Sequence, residues 1–181
     1  MIDIFPELNT SRLKLRKITI EDIPFLVKYA NNKKISDYVL NIPYPYSEPD
    51  AVFRISYVVQ GFKNKVRYVF TITFQESKEL IGEIGLHLNN QNDIAQLGYW
   101  VAEPFWGKGI ATEATAAILR FGFEKLNLAM IFAECHAENK ASQRVLLNNG
   151  LKEFGTSKIV LQYRLTKQQF SELQNNAAHQ S

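Results

Sequence analysis

The chain has little cysteine, few histidines, no long apolar run and no strong excess of charge, and each shortage excludes something. A single cysteine, Cys135, in 181 residues rules out an intramolecular disulfide and fits a reducing compartment. No stretch approaches the roughly 18 apolar residues of a membrane span. The opening Met1-Ile2-Asp3-Ile4-Phe5-Pro6-Glu7 lacks the basic start and apolar core of a secretory signal. A cytoplasmic protein without a membrane partner is expected. The three histidines, His87, His136 and His179, are far apart and lack ligand spacing, so no metal site is expected. A net charge of +3, scattered along the chain, is a poor footprint for a nucleic-acid binder. It suits either an anionic small ligand or an ordinary solvated surface.

What is present is an ordinary globular composition, 46% hydrophobic and 22% charged, read as one domain over residues 1–181 that acts as a monomer or homodimer. Ser11-Arg12-Leu13-Lys14-Leu15-Arg16-Lys17-Ile18 alternates like a half-buried strand. Thr19 to Asp22 then read as a helix start, with Pro24 tolerated in the first turn and the helix reaching about Asn31. Ser47 is placed to cap a second helix over roughly residues 49–61. Strands are expected at 67–74, 79–88 and 94–101; the polar breaks between them have the look of hairpins, so the three should run antiparallel. A helix with Ala114, Ala117, Ile118 and Phe121 on one stripe follows, ending near Leu126-Asn127. The run 129–135 is a further strand, parallel to its predecessor because a helix separates them. Asn139 should cap another helix that Gly150 ends. Segments 151–154 and 158–165 close the sheet, and a polar tail from about Ser171 to Ser181 is expected to fray.

One joint stands out, Trp106-Gly107-Lys108-Gly109-Ile110-Ala111-Thr112, where a strand ends and a long amphipathic pattern begins. A helix start after such a turn presents free N–H groups and the positive end of the helix dipole, which suits a phosphate. A Walker A loop needs Lys and then Ser or Thr after its last glycine, and Gly109 is followed by Ile110. A dinucleotide fingerprint needs a third glycine where Thr112 stands. The remaining candidates are an unliganded connection and the acetyl-CoA loop Gln/Arg-x-x-Gly-x-Gly/Ala, whose last three positions Gly109-Ile110-Ala111 match.

Three segments decide between them. Leu8-Asn9-Thr10-Ser11-Arg12-Leu13-Lys14-Leu15-Arg16, then Leu97-Gly98-Tyr99-Trp100-Val101 running through Pro104-Phe105-Trp106-Gly107-Lys108-Gly109-Ile110-Ala111-Thr112-Glu113-Ala114, then Asn139-Lys140-Ala141-Ser142 followed by Asn149-Gly150-Leu151, stand in one order. Together they resemble a GNAT acetyltransferase of the branch that includes the ribosomal-protein N-terminal (alanine/serine) acetyltransferases, over about residues 7–165. Trp106 takes the Gln/Arg position, as is usual in that branch. Gln96 stands where many members have Glu, and Leu146 where many carry a tyrosine as general acid.

The resemblance implies a GNAT fold, an α+β arrangement whose mixed, mostly antiparallel central sheet is flanked by helices and has a splayed parallel strand pair. It implies acetyl-CoA as cosubstrate, with its pantetheine arm beside Tyr99 and Val101. Its pyrophosphate would lie on Trp106, Gly107, Lys108, Gly109, Ile110, Ala111 and Thr112, and the closing helix would add Asn139 and Ser142. Ser142 is the candidate acid for the departing thiol, or else a helix-start serine bonding its own backbone. Base candidates are Glu83 and Glu103, with Glu134 and His136 also near the central strands. Phe132, Glu134 and His136 should share one face of their strand, and Ile131, Ala133 and Cys135 the other. Cys135 reads as buried filler. The acceptor side would be built by the first helices and the tyrosines Tyr38, Tyr44 and Tyr46. The expected acceptor is a peptide or protein α-amine; a small amine, or a non-catalytic acetyl-CoA sensor, is the alternative.

Overall fold

A computed structural model of the chain describes residues 2–89, 91 and 93–178. His179 and the rest of the tail lie outside the described residues, as do Asn90 and Asn92 of the expected polar turn.

The first half builds one side of the molecule. Strand β1 (Leu8–Asn9) pairs with β2 (Leu13–Arg16), whose alternation buries Leu13 and Leu15 completely. A 3-10 turn at Ile20–Asp22 precedes α1 (Ile23–Ala30), with Thr19 and Asp22 closing a capping box and Pro24 in the first turn. The Asp22 carboxylate also takes both ends of the Arg16 guanidinium (2.7 and 2.8 Å), which ties β2 to the helix start. A short α2 (Lys33–Ser36) is capped by Asn32, and α3 (Glu48–Lys63) starts from a capping box of Ser47 and Asp50.

Then come β3 (Arg67–Phe74), β4 (Gly82–Leu88) and β5 (Ile94–Val101) as antiparallel neighbours. The strand expected from residue 79 begins only at Gly82. There a Cβ would come within 2.3 Å of the Trp100 carbonyl, so the close approach that starts the β4–β5 ladder needs glycine. Helix α4 (Ile110–Arg120) runs into a π turn at Phe121–Lys125, β6 (Met130–His136) follows, and α5 (Lys140–Asn148) ends at Gly150 with φ +81°. Strands β7 (Lys152–Thr156) and β8 (Val160–Thr166) lead into α6 (Lys167–Ala178).

The α6 helix corrects the expectation of fraying from Ser171. Thr166 and Gln169 exchange hydrogen bonds across its start (3.0 and 3.3 Å), Phe170 stacks on Phe123 at 4.8 Å, and Leu173 lies over Gly150. The T-x-x-Q cap and the Phe170/Leu173 spacing hold the segment in a helix.

The eight strands form one sheet, ordered β1-β2-β3-β4-β5-β6-β8-β7, antiparallel everywhere except between β5 and β6. That pair is parallel because α4 carries the chain back across the sheet before β6 begins. One face packs Phe70, Ile84, Leu97, Ile131 and Tyr163 against α4 and its π turn, and the other packs Val69 and Trp100 against α1 and α3. Among the described residues no helix is long and apolar enough to cross a membrane.

Candidate active site

The parallel pair does not stay together. Its register runs from Ile94↔Met130 to Leu97↔Ala133 and stops, whereas β5 remains paired with β4 to Val101↔Gly82 and β6 with β8 to His136↔Val160. Residues 98–101 and 134–136 therefore diverge. Which groups of β5 face the opening follows from parity. The Ala102 amide donates to the Ile81 carbonyl (2.8 Å) and the Asn89 amide to the Ile94 carbonyl (2.9 Å). The even-numbered residues of β5 thus exchange backbone bonds with β4, and the odd-numbered ones turn theirs toward β6. Beyond Leu97 those are Tyr99 and Val101. The Val101 carbonyl accepts from the Trp106 indole (2.6 Å), which leaves the Tyr99 amide and carbonyl and the Val101 amide directed at the gap.

Just past the gap, Gly107 and Gly109 both have φ +73°, a conformation that strains any residue with a Cβ. A Cβ on Gly107 would meet nothing within 4 Å, so the turn is bare on its outer side. Ile110 points into the core, 2% exposed. The first helical bond closes from Glu113 N to Gly109 O (3.0 Å), so the amides before it have no partner within the helix. The turn therefore offers backbone donors and a helix dipole. The Lys108 ammonium lies 5.5 Å from the Phe105 ring centroid, and the Thr112 carbonyl accepts from the Asn149 side-chain Nδ2 (3.2 Å), fixing α5 against the start of α4.

Arg12 also belongs to this corner, and the sequence reading missed it. Glu113 on α4 accepts from the Thr10 hydroxyl (2.5 Å), the Arg12 amide (3.0 Å) and Arg12 Nε (2.6 Å), while Arg12 Nη1 donates to the Lys108 carbonyl (3.1 Å). Burial alone would raise the Glu113 pKa, but the bonds from Thr10 and Arg12 outweigh it and hold the carboxyl below its ordinary value. The guanidinium comes to within 3.5 Å of where a Gly109 Cβ would stand. A Thr10-Ser11-Arg12 segment and a Glu113 in the first turn of α4 were both visible. Nothing in either said that they meet.

On the far side of the gap, Asn139 caps α5 by accepting from the Ser142 amide (3.0 Å), and the Ser142 hydroxyl lies 2.7 Å from the Tyr99 hydroxyl. The serine therefore bridges the closing helix to β5 rather than bonding its own helix. Burial pushes the Tyr99 pKa well above the ordinary phenol value, with the Ser142 bond opposing it weakly. Burial likewise raises the Cys135 thiol, against a hydrogen bond with Ser142. Leu146, at the position where a tyrosine acid would stand, is 1% exposed in the core.

The opposite face of the sheet carries the carboxylates. Gly85 and Gly98 are cross-strand partners, and Gly98 is exposed with nothing within 4 Å of a would-be Cβ, so the floor of the groove there is backbone. Glu83 is 2% exposed and accepts from the Trp100 indole (2.8 Å) and Arg54 Nε (3.1 Å), both at Oε2. Glu103 lies elsewhere, in a 3-10 turn, engaged by Lys34 Nζ and by Asn32 Nδ2 (2.7 Å). Those two bonds hold its pKa below the ordinary value. Glu134 accepts from Gln96 (3.3 Å) and Gln162 (2.7 Å). The His136 ring lies 5.6 Å from that of Tyr38, and its Nδ1 accepts from the Glu138 amide, which in the neutral ring places the proton on Nε2. Of the four base candidates, Glu83 alone is buried beside the Gly98 floor. Among the described residues no group of His, Cys, Asp and Glu is arranged to hold a metal ion.

The family profile described as Acetyltransferase (GNAT) domain matches residues 12–152. The Bacillus subtilis (strain 168) protein named uncharacterized N-acetyltransferase YoaA is 31% identical over 153 residues, covering 84% of this chain and 86% of its own. The Escherichia coli (strain K12) ribosomal-protein-serine acetyltransferase is 30% identical over 129 residues, covering 70% of this chain and 71% of its own. The crystal structure of a GNAT-family acetyltransferase from Bacillus anthracis superposes with a TM-score of 0.81 at 21% identity, covering 90% of this chain and 99% of that one. The splayed β5–β6 pair, the glycine turn at the start of α4 and these matches agree: the chain belongs to the GNAT acetyltransferases.

Proposed function

We propose that this acetyltransferase moves the acetyl group of acetyl-CoA to the α-amine at the N-terminus of a peptide or protein, in the cytoplasm. The observation that carries the donor half is the divergence of β5 from β6 beside a helix start preceded by two left-handed glycines. GNAT acetyltransferases use acetyl-CoA, and the residues here fit it. A pyrophosphate takes amide donors from Gly109 to Thr112, where Gly107 and Gly109 leave clearance, and an amide-bearing arm takes an extra-strand position on Tyr99 and Val101. The E. coli relative, a ribosomal-protein-serine acetyltransferase by name, supports the acceptor half, as does the open, exposed backbone at Gly98.

Bound acetyl-CoA supplies a thioester carbonyl open to attack by a neutral amine. The chain has three tasks around it. The Val101 amide, turned into the gap, donates to the carbonyl oxygen as charge develops there. Glu83 keeps Oε1 free apart from a long 3.4 Å contact with Arg54, so it accepts the amine proton directly or through one water. Tyr99 and Ser142 form a hydroxyl pair at the leaving side. Even an ordinary phenol lies about 1.5 pKa units above a thiol, roughly 2 kcal/mol uphill for full proton transfer, and burial raises Tyr99 further. The pair therefore stabilises the departing thiolate by hydrogen-bond donation and hands on solvent protons.

Thiol release over a panel of N-terminal peptides and small amines tests this reading. Release with peptides and acetylation at the α-amine by mass spectrometry is the expected result. Release only with small amines overturns the acceptor assignment, and tight acetyl-CoA binding without release on any acceptor identifies a sensor instead.

A further inference from the structure

Arg54 on α3, with Arg67 beneath it, lies beside the buried carboxylate of Glu83. Arg54 donates to Glu83 through Nε (3.1 Å). Arg67, on β3, passes under the helix at Gly61, where a Cβ would stand 2.1 Å from Arg67 Cγ. Both guanidinium groups lie on the ring of Tyr57, at 3.5 Å for Arg67 and 5.8 Å for Arg54. Arg67 Nη1 donates to the Tyr57 carbonyl (3.1 Å), but its Nε is buried without a partner, as is Thr71 Oγ1 on the strand position opposite Glu83. Among the described residues neither terminal nitrogen of Arg54 has a hydrogen-bond partner, although the side chain is only 14% exposed.

The carboxylates near this pair are Glu83, bonded to Arg54, and Asp50, one turn before Arg54 on α3 and engaged by the Ser47 amide (2.8 Å), so neither takes the terminal nitrogens of Arg54. His87 adds no charge. It pairs across the strands with Arg67 and Gln96, and burial together with Arg54 and Arg67 holds its pKa down to about 4, so it is neutral near pH 7. The terminal nitrogens of Arg54 reach solvent, and a guanidinium edge left open to solvent matches the two oxygens of a carboxylate. Its partner Glu83 stands on the face of the proposed acceptor floor. Glu83 sits two residues from Gly85, the partner of Gly98, and the Trp100 indole that holds Glu83 belongs to the residue two beyond Gly98 on the same face.

We propose that Arg54, backed by Arg67, binds a side-chain carboxylate of the acceptor, so that this enzyme prefers peptides carrying Asp or Glu within their first few residues. The inference rests on the peptide reading above and adds the class of peptide.

The test uses matched heptapeptides with Asp or Asn at position 2, 3 or 4, acetyl-CoA at saturation, and kcat/KM from thiol release. At one of these positions Asp is expected to be favoured about tenfold or more, through KM, as suits one charge-assisted pair. In Arg54→Gln that ratio should fall to about threefold or less, and in Arg54→Lys part of it should return. Because each ratio compares two peptides on one protein, loss of stability or of Glu83 alignment cancels. Equal rates for Asp and Asn at all three positions in the wild type overturn the inference, and so does a ratio that survives Arg54→Gln. Should no peptide be acetylated, the peptide reading fails. Calorimetry of the same peptide pairs on the CoA-loaded protein then decides the anion site by itself: tighter binding of the Asp member supports it, and equal or absent binding of both members overturns it.

Discussion

Replacing Gly109 separates the backbone requirement of the turn from its proposed binding of phosphate. With φ +73° the position strains alanine by about 1–2 kcal/mol. A Cβ there would otherwise make only an ordinary contact with Arg12 Nη2 at 3.5 Å. Gly109→Ala should therefore lower the melting temperature by roughly 2–8 °C and weaken acetyl-CoA modestly. Aspartate tolerates the left-handed region better than alanine, so Gly109→Asp costs no more in folding. What it adds is charge. A phosphate oxygen bonded to the amides of this turn lies about 3 Å from a nitrogen, hence on the order of 6 Å from the new carboxylate. At an effective dielectric near 20 each unit pair then costs about 2.8 kcal/mol. Arg12 recovers part of this by pairing with the new carboxylate, leaving a net loss of about 1.5–3 kcal/mol, or about 10- to 100-fold in affinity relative to Gly109→Ala. Calorimetry with acetyl-CoA on both variants at about 0.05 and 0.5 M salt measures it, and the gap should narrow as the Debye length shortens. Binding by Gly109→Asp within threefold of Gly109→Ala at low salt would refute a phosphate at this turn.

Arg12→Ala should raise KM for acetyl-CoA about three- to tenfold with little change in kcat, since it frees the Lys108 carbonyl and one face of Glu113; an unchanged KM would show the cluster to be structural only. Ser142→Ala and Tyr99→Phe each remove one hydroxyl of a 2.7 Å pair and should lower kcat about 10- to 100-fold, the double variant falling no further than the worse single one. Additive losses would sink the idea that they act as a unit. His87 is depressed from 6.5 to about 4 in the folded chain, so it favours folding above pH 6.5 and that contribution disappears as pH falls from 6.5 to 4. At about 1.4 kcal/mol per unit the loss is roughly 2–3 kcal/mol. Urea midpoints of the wild type and His87→Asn should converge over that window, and parallel curves would contradict the assignment.

How much of this was legible beforehand depended on range along the chain. Strands β3 and β5 have the bounds that the polar breaks around them indicated, and Asn139 caps α5 ahead of the terminating Gly150 as expected. Each of these is decided within a few residues. The contacts that complete the site are not. Glu113 and Arg12 are 101 residues apart, Glu83 and Arg54 are 29, and Tyr99 and Ser142 are 43. Periodicity and capping chemistry carry no record of which charged side chain folding brings opposite which. The roles open to Glu83 and Glu103 could not be separated from their spacing. They separate once Glu83 is seen beneath Trp100 and Glu103 beside Lys34. The α6 helix is a different case: its Thr166–Gln169 cap is local, but the polar composition that follows masks the Phe170/Leu173 spacing that packs it.

The parity of β5 also limits how this enzyme can change over generations. Even-numbered backbone groups hold the sheet and odd-numbered ones face the gap between β5 and β6, with the Trp100 and Gly98 side chains on one face and Tyr99 and Val101 on the other. Loss or gain of one codon inside Ile94–Val101 would exchange the two sets at a stroke. The Tyr99 hydroxyl would leave Ser142, and a bulky side chain would land on the bare floor at Gly98. A point change touches one of these groups, whereas a one-residue length change displaces all of them, so diversification of acceptor choice is expected in α2, α3 and the tyrosine-bearing segment between them, with β5 kept at constant length.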